Sequence, residues 1–228
     1  MESNMRNGDV SDINTPKPEN KGFQKIKPEE NLTVNEAKSF WNDMFSKEIS
    51  RETENTEQDN PHQEVIDGVT YYYDDNGDLY RVGNELLPNS QYEINGYKYK
   101  TDDQGRIVSA EGTLRLKDRE GRLPIKDSIE DIGKGDQKEG DDRGHLIGDQ
   151  FDGSNGLENM VPQDASINRN DFRNFENELA KEVKDGKEVN VKVEPIYEGD
   201  SRRPTAIVVT YSIDGEESVR VFPNGQEE

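Results

Sequence analysis

Four consecutive residues, Asp142-Arg143-Gly144-His145, combine side chains that can do acid–base and phosphate chemistry. His145 is one of two histidines and stands among charged and small residues, so its imidazole is poorly placed to fill a core. A histidine pKa near neutrality lets the ring take a proton from water and return it. Arg143 offers a planar fork of donors for phosphate oxygens, and Gly144 allows a tight bend and close approach of a substrate. The alternative interpretation is an ordinary polar turn.

The segments Asn159-Met160-Val161-Pro162-Gln163 and Ile167-Asn168-Arg169 follow, and then Glu176. With the tetrapeptide they resemble the DNA/RNA non-specific endonucleases of the ββα-metal, or His-Me finger, class. That family has a DRGH tetrapeptide, an Asn-x-x-Pro-Gln segment, a helix-leading Asn and a Glu eight positions later. The resemblance is specific over about 35 residues, from Asp142 to Glu176, and looser on both sides.

The resemblance implies a role for each matching residue. His145 would be the general base that activates water, and Asn168 would be the direct protein ligand of Mg²⁺ or another divalent cation such as Mn²⁺. Glu176 would orient a metal-bound water, and its alternative is a solvated helix carboxylate. Three further residues would support the site: Asp142, Gly144 and Asn159.

The resemblance also implies an upstream arginine that holds the phosphate in the transition state. Arg119 and Arg122 are both candidates, beside Arg143, and surface salt bridges are the alternative for both. The implied product carries a 5′-phosphate. Sequence preference should be slight, because contacts to the nucleic-acid backbone carry no base information.

Charge is the main objection to a nuclease. The chain of 228 residues has a formal net charge of −21, and a polyacid repels nucleic acid. A locally basic face is therefore expected, and its candidates are Arg143, Arg169, Arg173, Lys181, Arg202 and Arg203. The same charge favours a rival hypothesis, a non-catalytic acidic interaction protein such as a DNA mimic or an antitoxin-like protein. The absence of cysteine excludes disulfides and thiolate metal sites.

The chain divides into three predicted parts. Residues 1–30 read as a flexible N-terminal segment, and residues 31–63 as an amphipathic helix with a linker. Thr33 and Glu36 form a capping box for this helix. Its apolar stripe recurs at steps of three and four residues: Ala37, Phe40, Trp41, Met44, Phe45 and Ile49. Residues 64–228 are the predicted nuclease domain. No apolar run is long enough for a membrane span, and the first thirty residues lack a secretory signal pattern.

The predicted fold class is α+β, a ββα-metal core with an antiparallel sheet, preceded by a hairpin region and the N-terminal amphipathic helix. Hairpin turns are predicted at Asp75-Asn76-Gly77, Asn95-Gly96 and Asp103-Gln104-Gly105. The first and last belong to a weak Tyr-rich repeat, similar to the β-repeats before toxin domains of large secreted bacterial proteins. A helix from about 167 to 184, capped by Ser166, should precede strands at 189–197, 205–213 and 219–222.

These features predict a Mg²⁺-dependent, sugar-non-specific endonuclease. The expected setting is the toxin domain of a secreted bacterial effector that acts in a target-cell cytoplasm, with a cognate immunity protein and no membrane partner. An extracellular scavenging nuclease with the same active site is a second alternative.

Overall fold

The computed structural model describes residues 63–225. The predicted flexible segment, residues 1–30, and the predicted helix and linker up to residue 62 lie outside the described residues. Within that range the chain forms twelve strands and two α-helices in an α+β arrangement. The strands are β1 Gln63–Ile66, β2 Val69–Tyr73, β3 Leu79–Val82, β4 Glu85–Leu86, β5 Gln91–Ile94, β6 Tyr97–Thr101, β7 Ile107–Thr113, β8 Asp141–His145, β9 Met160–Asp164, β10 Val189–Ile196, β11 Ala206–Ile213 and β12 Glu216–Pro223. The helices are α1 Ile129–Gly133 and α2 Arg173–Lys184, the latter preceded by a π-helical segment, Ile167–Phe172.

The strands pair into three sheets, and all pairings are antiparallel. A four-stranded sheet has the order β1-β2-β3-β4, and a six-stranded sheet has the order β12-β11-β10-β7-β6-β5. The third sheet is the hairpin β8–β9. Antiparallel sheets with few helices confirm the predicted α+β class.

The hairpin β8–β9 lies within one long excursion from the six-stranded sheet. The chain leaves after β7 and returns as β10, which pairs directly with β7 from Asn190 opposite Thr113 to Val193 opposite Ala110. Between these strands run a loop, α1, the hairpin β8–β9, the π-helical segment and α2. Both ends of the excursion are therefore anchored in neighbouring strands of one sheet.

The predicted turns connect β2–β3, β5–β6 and β6–β7. Asn95 and Gly96 both have positive φ, at 54° and 74°, as a two-residue hairpin turn of type I′ requires. The weak sequence repeat is also structural. Asp74 Oδ1 accepts the amides of the residues two and four positions on, at 2.9 Å each, and Asp102 Oδ1 does the same.

Tyrosines join the four-stranded and six-stranded sheets. The rings of Tyr80 and Tyr92 stack at 4.8 Å, and those of Tyr92 and Tyr99 stack at 5.2 Å. At the other end of the six-stranded sheet, Phe172 and Phe175 from the helical segment pack against Phe222 of β12. This chain has few hydrophobic residues, and the burial of these rings supplies apolar area that stabilises the fold.

The helical region differs from the sequence prediction at its start. Ser166 makes no side-chain cap and has helical dihedral angles. Asp164 Oδ1 instead accepts the amides of Ser166 at 2.9 Å and Ile167 at 3.3 Å. The capping prediction was wrong because a carboxylate two residues earlier competes for the same donors.

Helix α1 was not predicted from the sequence. Its start is a capping box in which Ser128 Oγ accepts the amide of Asp131 at 3.1 Å and the Asp131 carboxylate accepts from Ser128. The box uses Asp where Glu or Gln is usual, which hides the signal.

Both α-helices within residues 63–225 lack the length and apolar composition of a membrane span.

Candidate active site

His145 is the last residue of β8 and is buried, opposite Met160 of β9. Its Nε2 lies 2.9 Å from Asn155 Oδ1, and its Nδ1 lies 3.5 Å from Arg122 Nη2. An amide oxygen only accepts hydrogen bonds, so the proton of the neutral ring sits on Nε2. The lone pair on Nδ1 then faces the Arg122 donor at 3.5 Å and is the position of the ring that can take a proton. Burial lowers the pKa of His145, so the ring is neutral at neutral pH.

Asn155 was not singled out in the sequence, although it orients the imidazole. Its Nδ2 donates to Asp149 Oδ1 at 3.3 Å, which aims its Oδ1 at the histidine. Asp149 also accepts from Lys117 at 2.5 Å and Arg119 at 2.6 Å. Although burial alone would raise the pKa of Asp149, these donors lower it to about 2. Only folding joins these residues, so nothing in their spacing marks Asn155.

The two candidate arginines have different neighbours. Arg119 forms ion pairs with Asp149 at 2.6 Å and Asp152 at 3.7 Å. Arg122 has no ion pair among the described residues and lies next to His145. Its charge also lowers the pKa of Glu176, opposing the effect of burial there. Arg122 is thus the arginine of this loop that faces both predicted catalytic side chains.

Asn168 lies in the π-helical segment and is held by Asp142 of β8. Its Nδ2 donates to Asp142 Oδ2 at 3.0 Å. Arg169 grips the same carboxylate with two nitrogens, at 2.8 and 2.6 Å. Burial opposes ionisation of Asp142, but the bonds from Arg169 and Asn168 lower its pKa. Because the amide nitrogen is engaged, the Asn168 oxygen remains the free end of the side chain.

Glu176 is half-buried near the start of α2, with its carboxyl packed against Gly148. A Cβ placed on Gly148 would lie 2.2 Å from Glu176 Oε1, so a side chain there would displace the carboxyl. No hydrogen bond to Glu176 is present within residues 63–225. Burial raises its pKa to about 8, with a further rise from Asp149 and an opposing effect of Arg122. The interpretation as a solvated helix carboxylate does not fit this environment.

The remaining motif residues hold the backbone around the site. Asn159 is fully buried, and its side chain makes three hydrogen bonds: it accepts the Ile147 amide at 2.9 Å and donates to the Ile147 and Ser154 carbonyls at 2.8 Å. Arg143 donates to the Asp127 carbonyl at 3.0 Å and the Ile125 carbonyl at 3.4 Å. It therefore ties the 114–128 loop to β8.

Gly144 does not make the tight bend that was predicted for it. Its φ is not positive, so no tight bend demands glycine. A Cβ there would lie 2.3 Å from Gln163 Oε1 and 2.7 Å from Gln163 Cβ. Gln163 is fully buried, and neither end of its amide has a hydrogen-bond partner. The glycine makes room for this neighbouring side chain of β9.

The predicted basic face is only partly present. Arg203 is buried and pairs with Asp141 at 2.7 Å, so it is not a surface cation and that prediction was wrong. Arg202 donates to the Gln104 carbonyl at 2.8 Å, and Arg169 is committed to Asp142. The cations that act on the His145 imidazole are Arg122 of the 114–128 loop and, to a smaller extent, the predicted Arg143.

The donor set suits a hard cation with few protein ligands. No group of three or more His, Asp or Glu side chains that could hold a metal ion occurs in residues 63–225. Asn168 offers a neutral amide oxygen held in place by Asp142, and Glu176 offers a carboxylate without a hydrogen-bond partner. Oxygen ligands of this kind fit Mg²⁺, which keeps several waters.

The buried imidazole of His145 has Arg122 beside its Nδ1, and the Asn168 amide is fixed by Asp142 of the same strand, β8. The sequence matches the DNA/RNA non-specific endonuclease family over residues 88–215, which is more than half of the chain. The protein belongs to that family.

Relatives share this part of the chain. The type VII secretion system protein EssD of Staphylococcus aureus (strain USA300) is 37% identical over 148 residues, covering 61% of this chain and 24% of EssD. The probable deoxyribonuclease RhsA of Dickeya dadantii is 27% identical over 121 residues, covering 53% of this chain and 8% of RhsA. The chain thus spans about a quarter or less of these relatives. The crystal structure of NucA from Streptococcus agalactiae with magnesium bound aligns with a TM-score of 0.42 and 20% identity, over 73% of this chain and 85% of NucA.

Proposed function

We propose that this protein is a divalent-metal-dependent endonuclease of the ββα-metal, or His-Me finger, type that hydrolyses phosphodiester bonds of DNA, RNA or both. The observation that carries the proposal is the state of His145. Asn155 engages Nε2 at 2.9 Å, which leaves Nδ1 free to accept a proton beside Arg122. This is the arrangement a general base needs at neutral pH.

Each residue of the site has a role in this reaction. Nδ1 of His145 takes the proton of the attacking water, and Asn155 holds the ring in the productive tautomer. Arg122 stabilises the charge that develops on the phosphate oxygens, as an arginine fork does well. Arg143, expected from the sequence to face phosphate, also positions the loop that carries Arg122 through its bonds to backbone carbonyls.

Asn168 would hold the metal ion, Mg²⁺ or a substitute such as Mn²⁺, through its free amide oxygen. When bound, the ion supplies Lewis-acid stabilisation of phosphate oxygens. Glu176 would orient a water in the ion's shell, for which its carboxyl must ionise. Asp142 fixes the Asn168 amide through the 3.0 Å hydrogen bond.

The acidic composition is compatible with this function because the charges around the site are arranged locally. Lys117 and Arg119 neutralise Asp149, and Arg122 remains unpaired within residues 63–225. Substrate phosphates therefore meet positive charge at the site in a chain whose net charge is −21. Electrostatic attraction from this face falls with salt, so activity should fall steeply as ionic strength rises.

The relatives favour a role as the toxin domain of a secreted bacterial effector. The matching relatives include a type VII secretion system protein and a probable deoxyribonuclease, both much longer than the shared region. We propose that the domain is exported as part of an effector and acts in the cytoplasm of a target cell. A cognate immunity protein would then protect the producing cell.

Digestion of plasmid DNA and of RNA tests the proposal. With Mg²⁺ present, the full chain should cleave, and EDTA should stop cleavage. His145→Ala should reduce the rate by about 10²- to 10⁴-fold, the range of a lost general base. His62→Ala, which changes the other histidine, is the matched control and should keep full activity. If His145→Ala cleaves as fast as the wild type, His145 is not the general base. If the wild type itself cleaves neither DNA nor RNA with any divalent ion, the protein is better explained as a non-catalytic interaction protein.

The two arginines can be separated in the same assay. Arg122→Ala should lower kcat with little change in stability, because Arg122 has no ion pair in the described chain. Arg119→Ala should mainly lower stability, because it breaks pairs with Asp149 and Asp152. The opposite pattern would assign the phosphate to Arg119.

A further inference from the structure

A cavity of about 710 Å³ lies beside the site and takes no part in the chemistry proposed above. Strands of the four-stranded sheet form one side, and the loop of residues 114–128 forms another. Its volume lies within the range of roughly 300–1,000 Å³ that is usual for small-molecule sites. The cavity is thus large enough for one nucleoside.

The cavity and the candidate active site share two walls. Asn155 lines the cavity and also bonds His145 Nε2 at 2.9 Å. In the loop, Arg119 and Leu123 line the cavity, whereas Arg122 between them reaches His145 Nδ1. A group inside the cavity would therefore lie next to the scissile phosphate rather than at a distant surface.

The walls suit a neutral, partly apolar group. Tyr72, Leu123 and Pro124 contribute apolar surface. The buried charges compensate one another, since the Arg81 guanidinium pairs with Asp127 at 2.5 Å and Glu158 at 3.5 Å. Arg119 pairs with Asp152 on the same wall. A phosphate would gain little here, but a nucleobase would bury its ring and use polar edges.

One cation of the lining is not committed to a carboxylate. Arg119 Nε makes no hydrogen bond but faces the Asp152 carboxylate at 3.7 Å. Lys126 is exposed at the lining and has neither an ion pair nor a side-chain hydrogen bond among residues 63–225. A free ammonium there can contact the next phosphate of a bound strand.

We propose that this cavity binds the nucleoside that flanks the scissile phosphate, with Lys126 contacting the neighbouring phosphate. The inference rests on the proposed nuclease function and adds a substrate class. A base must leave its stack to enter a cavity, and this costs least in single strands. The cavity therefore favours single-stranded DNA or RNA over duplex.

Leu123→Asp in the full chain tests the proposal, because it places a carboxylate on the apolar wall of an exposed loop. Leu123 is 50% exposed, and Val221 on β12, outside the cavity, is 55% exposed. Val221→Asp is thus the matched control for charge and exposure. The substrates are a single-stranded oligonucleotide and bis(p-nitrophenyl) phosphate, a diester without a nucleoside.

With Mg²⁺, Leu123→Asp should lower kcat/KM on the oligonucleotide about tenfold, the order expected from losing one base contact. Hydrolysis of bis(p-nitrophenyl) phosphate should stay unchanged, and Val221→Asp should change neither. The ratio of single-strand to duplex cleavage should fall in Leu123→Asp. Equal losses on both substrates, or no loss on either, would overturn the proposal.

Binding measured without catalysis separates this inference from the proposed function. In a His145→Ala background, fluorescence anisotropy of a labelled tetranucleotide should show about tenfold weaker binding with Leu123→Asp. An abasic tetranucleotide should bind both proteins equally. If the wild type hydrolyses neither substrate, the proposed function fails, and anisotropy still decides on the cavity. Equal weakening for the normal and abasic strands would refute a base-binding cavity.

Discussion

Replacing Glu176 by glutamine should stabilise the metal-free protein at alkaline pH. The wild-type carboxyl packs against Gly148 without a hydrogen bond in the described residues, and burial raises its pKa to about 8. Ionising it in that environment opposes folding. Glutamine has nearly the same shape and never ionises, so it removes this penalty.

The sign and size follow from linkage. The pKa rises on folding from 4.5 to about 8, so the contribution of Glu176 to stability is fully present below about pH 4.5 and is lost as the pH rises to about 8. At 1.36 kcal/mol per pH unit the ceiling is roughly 5 kcal/mol. Because the side chain is only half-buried, water screens part of this penalty. We therefore expect Glu176→Gln to gain about 2 to 3 kcal/mol in unfolding free energy over the wild type at pH 9, relative to pH 5.

Urea unfolding followed by circular dichroism, in EDTA from pH 5 to pH 9, measures this difference. Other groups titrate alike in both proteins, so the difference between the two curves isolates Glu176. Glu178→Gln on the same helix is the control, because Glu178 is exposed and pairs with Arg220 at the surface. Parallel curves for wild type and Glu176→Gln would show that the carboxyl is well solvated and would refute the reasoning. Glu176→Gln should also be much less active with Mg²⁺.

Three further substitutions test the supports of the site. Asn155→Ala should lower kcat and shift the pH dependence of kcat/KM, because the buried imidazole loses a hydrogen bond that raises its pKa; an unchanged pH profile would exclude the orienting role. Asp142→Ala should weaken apparent Mg²⁺ affinity about 10- to 100-fold, because it releases the Asn168 amide. A titration of activity with Mg²⁺ that gives the wild-type midpoint would contradict this. Asn159→Ala should cost about 3 kcal/mol in urea unfolding, because it leaves buried backbone groups without partners; a loss of under about 0.5 kcal/mol would mean that water replaces the amide.

Local signals predicted the elements well. Turn residues such as Asn95-Gly96 specify a two-residue hairpin through backbone conformation alone, so the sequence was sufficient. Helix α2 and strands β10, β11 and β12 were also predicted from the sequence. The π-helical segment was not predictable from periodicity, which assumes 3.6 residues per turn, and it changes how Asn168 and Glu176 are oriented on the helical segment.

The features of the candidate site that the sequence did not predict depend on contacts that only the folded chain makes. Asn155 is linked to Asp149 and His145 only through the folded loop, and neither spacing nor residue type distinguishes it from other loop asparagines. The choice between Arg119 and Arg122 likewise depends on which side of the loop faces His145. The buried position of Arg203 depends on Asp141, which is far away in the chain.

The pairing of β7 with β10 suggests how such an enzyme could be kept latent in the laboratory. A chain break between β7 and β10 leaves an N-terminal fragment that contains β5–β7 and a C-terminal fragment that contains β10–β12. The two fragments pair along Asn190–Val193 of β10. Neither fragment alone holds both Arg122 and His145 if the break falls after Arg122. Two inactive fragments, produced separately and then mixed, should associate through the β7–β10 pairing and regain nuclease activity.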